Sequence, residues 1–320
     1  MSETTRNQKY LVKSMGKIAA GIVLFNPEDL KRFNTSLESV LRQVDKVYIF
    51  DNSTIANSYS FSGPVAYYTE EENKGIAYGM NRLMEAAQRD GFEWLITMDQ
   101  DSVLPDNAIS LYMTHINDVP NLAIICPQVI DSRRSYMEIK KEPEIDYIDY
   151  CITSGSCTNI RAWEMVGKYD EWLFIDLVDN DFCKRLIVSG FKILRLNKLV
   201  LDQEFGRIIP KSKKTQRFWN RTAKILKNKN FAKFGYNKIV SPMRVFYTCR
   251  NIVYVNKKLK KYGKTGYIEN YNCNSFFGFL ICFVAPSILR AQNRSKVTKA
   301  AIVGLRDGVK SKPVVWSVKE

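Results

Sequence analysis

Histidine is nearly absent from this sequence, and its cysteines follow no pairing pattern. The 320 residues include one histidine, His115, and seven cysteines with no CxxC spacing. This count excludes a metal site built from several histidines, and we expect His115 to lie on the surface of a polar helix. An odd number of cysteines argues against a disulfide framework or a structural zinc site. Acid–base chemistry is therefore expected from carboxylates.

A long apolar run is missing from the N-terminus. Residues 1–17 are polar and basic, unlike a signal peptide, and we therefore expect a cytoplasmic protein. The most apolar stretch, residues 274–289, contains Asn274, Gly278 and Pro286 and is shorter than the roughly 20 residues that span a bilayer. We predict a core or interfacial helix there, with a transmembrane helix as the weaker alternative.

Acidic residues are missing from one long segment. Between Glu204 and Glu269 the chain has 18 lysines and arginines and no acid, although the whole chain has a net charge of +15. The rest of the chain is nearly balanced, with 30 basic and 33 acidic residues. Such a block favours nucleic acid, phosphorylated ligands or an anionic membrane surface as a partner, and a solvated basic face is the plainer alternative.

Strand and helix patterns alternate over about the first 130 residues. The apolar runs that predict strands are KIAAGIVLF (17–25), KVYIF (46–50), VAYYT (65–69) and EWLITM (93–98). Apolar residues at helical spacing follow Pro27 and Gly75. This alternation predicts an α/β fold, with a mostly parallel sheet flanked by helices. No GxGxxG follows the first strand, which disfavours a dinucleotide-binding fold.

Polar residues directly follow three of these strands. They are Asn26, which we also expect to cap the next helix, then Asp51, and then the pair Asp99 and Asp101. Ligands of such sheets bind beyond the carboxyl ends of the strands, so we expect these side chains to share one edge. Two carboxylates one residue apart suit Mg²⁺ or Mn²⁺, which prefer oxygen ligands. A loop of solvated acids is the alternative, because Asp-x-Asp is common by chance.

A second acidic cluster consists of Asp176, Asp179 and Asp181 and precedes the segment FCKRL. Carboxylates this close repel one another unless a cation or a function keeps them together. Asp181 and Arg185 are spaced as partners on a helix, so one acid of the cluster can be structural.

These motifs together resemble those of bacterial family 2 glycosyltransferases of the rhamnosyltransferase type. The resemblance covers residues 17–255, with the motifs in the family's order. The segments that carry it are VLFNP (23–27), VDKVYIFDNS (44–53), ENKGIAYGMN (72–81), LITMDQDS (95–102), TSGS (153–156), GKYDEWLFIDLVDNDFCKRL (167–186) and RVFYTCRN (244–251). It implies the GT-A fold, a Rossmann-like sheet with a basic, mainly helical C-terminal extension. The expected division is a tail (1–16), a GT-A domain that binds nucleotide sugar (17–215) and a basic helical region at the membrane surface (216–320).

The resemblance also implies a nucleotide-sugar site and a divalent metal. Asp51 would accept a hydrogen bond from the pyrimidine base, and Arg250, with Arg244 as a second candidate, would pair with the diphosphate. Asp99 and Asp101 would hold Mg²⁺ or Mn²⁺ against that diphosphate. The residues expected to bind the donor are Asn26, Asp51, Asn73, Gly75, Asp99 and Arg250.

The position of the family's catalytic aspartate is occupied by Asp179. The resemblance implies that Asp179 is the general base of an inverting transfer. Asp176 and Asp181 are candidates for acceptor contact or for a structural role. Gln203 stands where relatives usually have a histidine, and its neutral amide is a weaker ligand for a metal.

The expected function is transfer of L-rhamnose, with inversion, from dTDP-β-L-rhamnose to a lipid-linked saccharide in cell-surface polysaccharide assembly (O-antigen, capsule or cell wall). The expected partners are that donor, that acceptor and the anionic cytoplasmic face of the membrane, with no nucleic acid. A family 2 enzyme that uses UDP-galactofuranose or a UDP-hexose is one alternative. A metal-dependent nucleic-acid-binding protein and a transferase reduced to a scaffold are the others.

Overall fold

Eight strands form the central sheet of the protein. The structure, a computed structural model, describes residues 17–318 except 28, 55–58, 71, 205 and 207, and the predicted tail of residues 1–16 lies outside the described residues. Along the sheet the strands are ordered β3-β2-β1-β4-β7-β5-β8-β6. Their bounds are β1 (Ile18–Leu24), β2 (Val47–Asp51), β3 (Val65–Thr69), β4 (Trp94–Asp99), β5 (Leu122–Ile130), β6 (Ile145–Ile148), β7 (Ser156–Asn159) and β8 (Lys192–Asp202).

The sheet is mixed, with parallel pairing at the half that bears the predicted site. β1, β2, β3 and β4 pair in parallel, whereas β7 runs antiparallel to both β4 and β5, and β6 runs antiparallel to β8. The register places Leu24 of β1 opposite Asp51 of β2, and Val23 of β1 opposite Asp99 of β4. The two aspartates therefore flank the end of β1 at the same edge of the sheet.

Helices cover both faces of this sheet. Alternate residues of each strand point to opposite faces, and Phe33 and Tyr112 are buried on one face while Met80 and Phe182 are buried on the other. The predicted α/β architecture is confirmed. The helices are α1 (Leu30–Leu41), α2 (Ile76–Arg89), α3 (Ala108–Ile116), α4 (Ile160–Met165), α5 (Val178–Val188), α6 (Lys213–Ile225), α7 (Pro242–Lys258), α8 (Tyr267–Tyr271), α9 (Phe276–Phe279), α10 (Ala285–Arg290) and α11 (Arg294–Lys310).

The first helix begins later than the sequence predicts. Asp29, and not Asn26, caps α1, because its side chain accepts a hydrogen bond from the backbone N–H of Arg32. Asn26 instead adopts a left-handed backbone conformation, with a φ of 37°. This conformation turns the chain away from β1 and leaves the Asn26 side chain at the edge of the sheet.

The basic C-terminal region is helical, as predicted, and it shares the core of the sheet. Val245, Cys249 and Ile252 of α7 are buried in the same cluster as Phe182 of α5. α11 packs along α7, where a Cβ on Gly304 would lie 2.4 Å from the Phe246 carbonyl oxygen. A short second sheet precedes α7 and pairs β9 (Ile208–Pro210) with β10 (Tyr236–Lys238). The predicted domain boundary at residue 215 stays a prediction.

One stretch of the described chain is long and apolar enough to cross a membrane by length and composition. It runs from Tyr267 to Arg290, with a mean hydropathy of 1.6 in its most apolar window, and 22% of that window is buried. Asn272 interrupts the helix with a φ of 52°. From Phe276 to Arg290 the helical structure is continuous, with a π-helical turn at Leu280–Val284 between α9 and α10.

Candidate active site

The pyrimidine-binding side of the predicted site lies at the ends of β1 and β2. Asp51 is 2% exposed, and its two carboxylate oxygens accept hydrogen bonds from the Tyr67 hydroxyl (2.7 Å) and the Ser53 N–H (2.8 Å). The backbone N–H of Asn26 donates to Ser53 Oγ at 2.7 Å. Asn26 Oδ1 is buried and has no hydrogen-bond partner among the described residues. A buried acceptor without a partner is costly, so this oxygen is suited to a donor group of a ligand.

A glycine turn stands beside this pocket. Asn73 Oδ1 accepts a hydrogen bond from the N–H of Gly75 (3.0 Å), and Asn52 Nδ2 donates to the Gly75 carbonyl (2.9 Å). Gly75 has a φ of 91°, and a Cβ there would lie 2.5 Å from the carbonyl oxygen of Phe174. The N–H of Ile76 donates to that same carbonyl at 2.7 Å. Glycine is therefore required where the donor-side turn meets the segment that leads to α5.

The loop after β4 is held by side chains that the sequence did not single out. Gln100 Oε1 accepts a hydrogen bond from the N–H of Phe25 (2.8 Å), and Gln100 Nε2 donates one to the Phe25 carbonyl (3.2 Å). Arg32 Nε donates to the Asp101 carbonyl at 2.7 Å. The loop that bears Asp99 and Asp101 is thereby fastened to the end of β1 and to α1.

Asp99 lies where negative charge accumulates. Burial, and then the charge of Asp101, raise the pKa of Asp99 to about 6, although a hydrogen bond from Gln203 Nε2 and the charge of Arg244 oppose the shift. The other amide atom, Gln203 Oε1, is buried without a hydrogen-bond partner among the described residues. The carboxylate of Asp101 makes no hydrogen bond or ion pair within the described ranges.

These three side chains fit a hard divalent cation. Two carboxylates and one orphaned amide oxygen supply oxygen ligands of the kind that Mg²⁺ and Mn²⁺ prefer, and diphosphate oxygens and water complete such a site. Across the described residues, no group of three or more His, Cys, Asp or Glu side chains is arranged to hold a metal. A metal at this site would therefore need ligands from the diphosphate and water as well. Asp99, Asp101 and Gln203 Oε1 are therefore the groups that would hold the ion.

Asp179 faces the same site from the first turn of α5. Burial, and then the negative charges of Asp99 and Asp176, raise its pKa to about 7, against the opposing charge of Arg244. Asp99, which is 80 positions away in the sequence, is therefore close enough to Asp179 to influence its ionisation. A carboxylate with a pKa near neutrality is suited to general-base catalysis.

The turn before α5 is strained and is held by α7. Asp176 and Leu177 both have left-handed backbone conformations, with φ angles of 68° and 62°. Non-glycine residues in that region cost about 1–3 kcal/mol each. Asn251 Nδ2 donates to the carbonyls of Ile175 (2.8 Å) and Asp176 (2.9 Å), and Arg244 forms an ion pair with Asp176 at 2.6 Å. These contacts from α7 compensate the strain and orient the turn that places Asp179.

Asp181 is part of a buried ion network and does not face the site. Its carboxylate is fully buried and pairs with Arg185 (2.7 Å) and Lys258 (2.9 Å). Burial raises its pKa, but the two cations outweigh burial and hold the pKa below its usual value. Of the two roles that the sequence suggested, this burial favours the structural one, and contact with an acceptor stays an untested prediction. Its structural role is to join α5 to α7.

Arg250 also makes contacts that the sequence did not predict. Its guanidinium lies over the ring of Trp172, 3.9 Å from the centroid, and Nη2 donates to the Trp172 carbonyl at 2.7 Å. Tyr247 lies near it as well, 4.7 Å from centroid to guanidinium. The guanidinium therefore contacts an aromatic cluster, and the pairing of Arg250 with the diphosphate stays a prediction. Arg244 is the arginine whose charge reaches both Asp99 and Asp179.

Other residues that support the site became visible only through tertiary contacts. Ser154 Oγ accepts the N–H of Asp99 at 3.2 Å, and it lies in the TSGS motif, whose small polar residues were the available signal. Asn81 Oδ1 accepts from Trp163 Nε1 (3.1 Å) and from the N–H of Tyr169 (3.0 Å), which fixes the segment before α5 against α2. Nothing in the sequence indicated the bond from Tyr67 to Asp51, because it depends on the pairing of β2 with β3.

Comparison with known proteins agrees with this geometry. Residues 21–172 match the glycosyl transferase family 2 model. The chain is 28% identical over 260 residues to the dTDP-rhamnosyl transferase RfbF of Shigella flexneri. The alignment covers 75% of this chain and 80% of the relative.

One solved glycosyltransferase structure shares the fold at a TM-score of 0.50, and a second is similar below that score. The crystal structure of GalNAc-T7 with UDP, GalNAc and Mn²⁺ superposes with a TM-score of 0.50 at 13% identity, covering 85% of this chain and 57% of that one. The mannosyltransferase PcManGT from Pyrobaculum calidifontis, in complex with GDP-Man and Mn²⁺, has a TM-score of 0.49 at 11% identity, covering 92% and 76%. At such identities the likeness concerns the fold alone. The sequence matches confirm the resemblance to bacterial family 2 glycosyltransferases of the rhamnosyltransferase type, and the likeness in structure agrees with the expected GT-A fold.

Proposed function

We propose that this enzyme transfers L-rhamnose from dTDP-β-L-rhamnose to a saccharide acceptor with inversion at the anomeric carbon. The observation that carries the proposal is the meeting of Asp99 and Asp179 in one site, each with a pKa raised towards neutrality. The similarity to a dTDP-rhamnosyl transferase over 75% of the chain supports rhamnose as the sugar. UDP-galactofuranose and UDP-hexoses are the competing donors.

Asp179 is the base of the proposed reaction. An acceptor hydroxyl oxygen attacks the anomeric carbon, its proton passes to the Asp179 carboxylate, and the bond from the anomeric carbon to the diphosphate oxygen breaks. The nucleoside diphosphate leaves with the bonding electrons. Arg244, which is 54% exposed and pairs with Asp176, is placed to meet the negative charge of the leaving group. Mg²⁺ or Mn²⁺ held by Asp99, Asp101 and Gln203 would supply further charge stabilisation.

The donor-binding residues are proposed from the pocket at the strand ends. Asp51 accepts a hydrogen bond from the ring N–H of the pyrimidine, since it retains free lone pairs beside its two bonds, and Asn26, whose Oδ1 lacks a partner among the described residues, lies next to the base. Asn73 and Gly75 shape the turn next to the nucleotide. A thymine or uracil ring offers one N–H, and a single acceptor such as the Asp51 carboxylate is enough to receive it.

The acceptor of the proposed reaction is a lipid-linked saccharide of cell-surface polysaccharide assembly. The basic segment of 18 lysines and arginines and the exposed apolar helix surface support an enzyme that works at the cytoplasmic face of a membrane. Such a location brings the enzyme to an acceptor that cannot leave the bilayer.

Donor turnover tests the proposal directly. The purified protein is given dTDP-rhamnose, UDP-galactofuranose, UDP-glucose and a purine nucleotide sugar, each with Mn²⁺ or with EDTA, and release of nucleoside diphosphate is measured by chromatography. We expect the strongest release from dTDP-rhamnose with Mn²⁺. A response confined to a UDP sugar or to the purine nucleotide sugar would replace the proposed donor, and no response to any of them would contradict the proposed activity.

A further inference from the structure

Four large apolar side chains project into solvent at the junction of α6 and α9. Ile225 is 79% exposed, Leu226 54%, Phe276 40% and Phe277 71%. Isolated exposed apolar residues are ordinary on protein surfaces, but adjacent ones indicate an interaction site. We call these four residues the apolar patch.

Hydrogen bonds join the two halves of the apolar patch. Asn272 Nδ2 donates to Asn228 Oδ1 at 3.2 Å, and Asn230 Nδ2 donates to the Tyr271 carbonyl at 3.1 Å. Asn228 follows Leu226 by two positions, and Phe276 follows Asn272 by four. The segment just after α6 is thus fastened to the end of α8, so the chain leaving α6 and the chain entering α9, which carry the four apolar side chains, leave the same seam.

Lysines surround the apolar patch. Lys224, Lys227 and Lys229 are exposed on or just after the end of α6. Lys264 is also exposed and donates to the Asn274 carbonyl at 2.8 Å, two residues before Phe276. The chain has no acidic residue between Glu204 and Glu269, so these cations lack acidic neighbours along the sequence.

The outer face of α6 continues the same pattern. Lys214, Arg217, Phe218 and Arg221 are exposed and follow one another at spacings of one, three or four residues, which places them on one side of the helix. Phe218 is 61% exposed among these cations. Basic residues mixed with large apolar ones on a single helix face are typical of helices that lie in the membrane interface.

The helix at α9 and α10 is shorter than the hydrocarbon core of a bilayer and packs one face on the protein. Its continuous part, from Phe276 to Arg290, is about 22 Å long at 1.5 Å per residue, short of a hydrocarbon core of roughly 30 Å. Its inner face belongs to the protein core, where Phe279 is fully buried and packs 5.0 Å from the ring of Tyr271. Spanning would remove these rings from the core.

We propose that the apolar patch and its ring of lysines insert into the interface of an anionic lipid bilayer. The lysines pair with headgroup phosphates while Ile225, Leu226 and the two phenylalanines enter the region between headgroups and acyl chains. Nucleic acid offers the phosphates without an apolar phase, and a second copy of this surface would bring like charges together. This inference deepens the proposed function, on whose lipid-linked acceptor its biological meaning rests.

Vesicle co-sedimentation tests the surface without any donor or acceptor. The full chain is mixed with vesicles of phosphatidylcholine alone or with an equal amount of phosphatidylglycerol, at low and high salt. We expect binding to the anionic vesicles that weakens with salt. Ile225→Ser/Phe277→Ser should lower partitioning at least tenfold, because each side chain loses the burial of a large apolar group. Lys224→Glu/Lys227→Glu/Lys229→Glu should lower it about a hundredfold, since each lysine near the surface contributes about fivefold.

The matched control replaces an exposed basic and an exposed apolar residue of α4, as Arg161→Glu/Met165→Ser, and should partition like the wild type. All variants should release dTDP from dTDP-rhamnose in the absence of lipid at the wild-type rate, which shows that they are folded. Equal partitioning of patch and control variants, equal binding to neutral vesicles, or resistance to alkaline carbonate extraction would each overturn the inference. Self-association through the patch without lipid would also do so. Because vesicle binding needs no donor, a failed donor assay with intact vesicle binding would count against the proposed function alone.

Discussion

Replacing Asp179 with asparagine should stabilise the protein while abolishing transfer. The folded-state pKa of about 7 lies above the ordinary value of 3.8, mainly because of burial and then because of the charges of Asp99 and Asp176. A raised carboxyl pKa means that the ionised form destabilises the folded state. A difference of about three units corresponds to about 4 kcal/mol at most, at 1.36 kcal/mol per unit. Since the side chain is partly exposed and coupled to Asp99, we expect a gain of about 1–3 kcal/mol in unfolding free energy at pH 8.

The pH dependence of this gain follows from the sign of the shift. Below about pH 4, Asp179 is protonated in both folded and unfolded chains, so Asp179→Asn should change stability little. Between about pH 4 and 7 the Asp179 carboxyl ionises in the unfolded chain but stays protonated in the folded one. The difference in unfolding free energy between Asp179→Asn and the wild type should therefore grow over this range. Above about pH 7 it should be constant. Denaturant unfolding in EDTA at pH 4, 6 and 8 measures it.

Asp181→Asn is the matched control, two residues along the same helix. It removes the charge that pairs with Arg185 and Lys258 and leaves Arg185 as a buried cation without an acidic partner, while Lys258 keeps Asp170, so it should destabilise the protein by about 3–5 kcal/mol at pH 8. A loss of stability in Asp179→Asn at pH 8, or a gain that does not vary with pH, would refute the reasoning about Asp179.

Three further predictions concern the groups around the two acids. Gly75→Ala should destabilise the protein by about 2–4 kcal/mol in denaturant unfolding, because Gly75 has a φ of 91° and an added Cβ would lie 2.5 Å from the Phe174 carbonyl oxygen. It should also raise the dissociation constant of dTDP in calorimetry, and an unchanged affinity would contradict the role of the turn. Asn251→Ala should lower kcat more than it raises KM in steady-state assays, since it frees the strained turn before Asp179 and leaves the donor pocket intact; a change confined to KM would count against this positioning role. Arg244→Gln should lower the single-turnover transfer rate ten- to a hundredfold, which is a rise of about 1.4–2.7 kcal/mol in activation free energy. Arg250→Gln should chiefly lower the melting temperature, and the reverse pattern would favour Arg250 as the partner of the diphosphate.

The parallel half of the sheet and its polar edge were predictable from the sequence. Buried strands of five to seven residues alternate with amphipathic helices there, and the ends of parallel strands meet at one edge. That rule was enough to bring Asp51 and Asp99 together. It did not extend past residue 130, where β6 and β7 insert antiparallel and depend on contacts between distant segments.

The sequence did not indicate which face of a helix a residue occupies. Arg244 and Arg250 are six positions apart on α7, about 240° around the axis, so only one of them can face the site. Asp179 and Asp181 are two positions apart, about 200°, and the same geometry separates Asp179 from the buried ion pair of Asp181. Sequence spacing shows that such residues diverge, but only the packing of α5 against α7 shows which one faces the acids of β4.

The central claim is that Asp99, Asp101 and Asp179 surround one nucleotide-sugar site. Anomalous diffraction from crystals grown with Mn²⁺ and dTDP tests it most directly. We expect a manganese peak bonded to carboxylate oxygens of Asp99 and Asp101 and to the diphosphate, with Asp179 facing the open side of the same cleft. Manganese and nucleotide bound elsewhere, or Asp179 turned away from the diphosphate, would contradict the account.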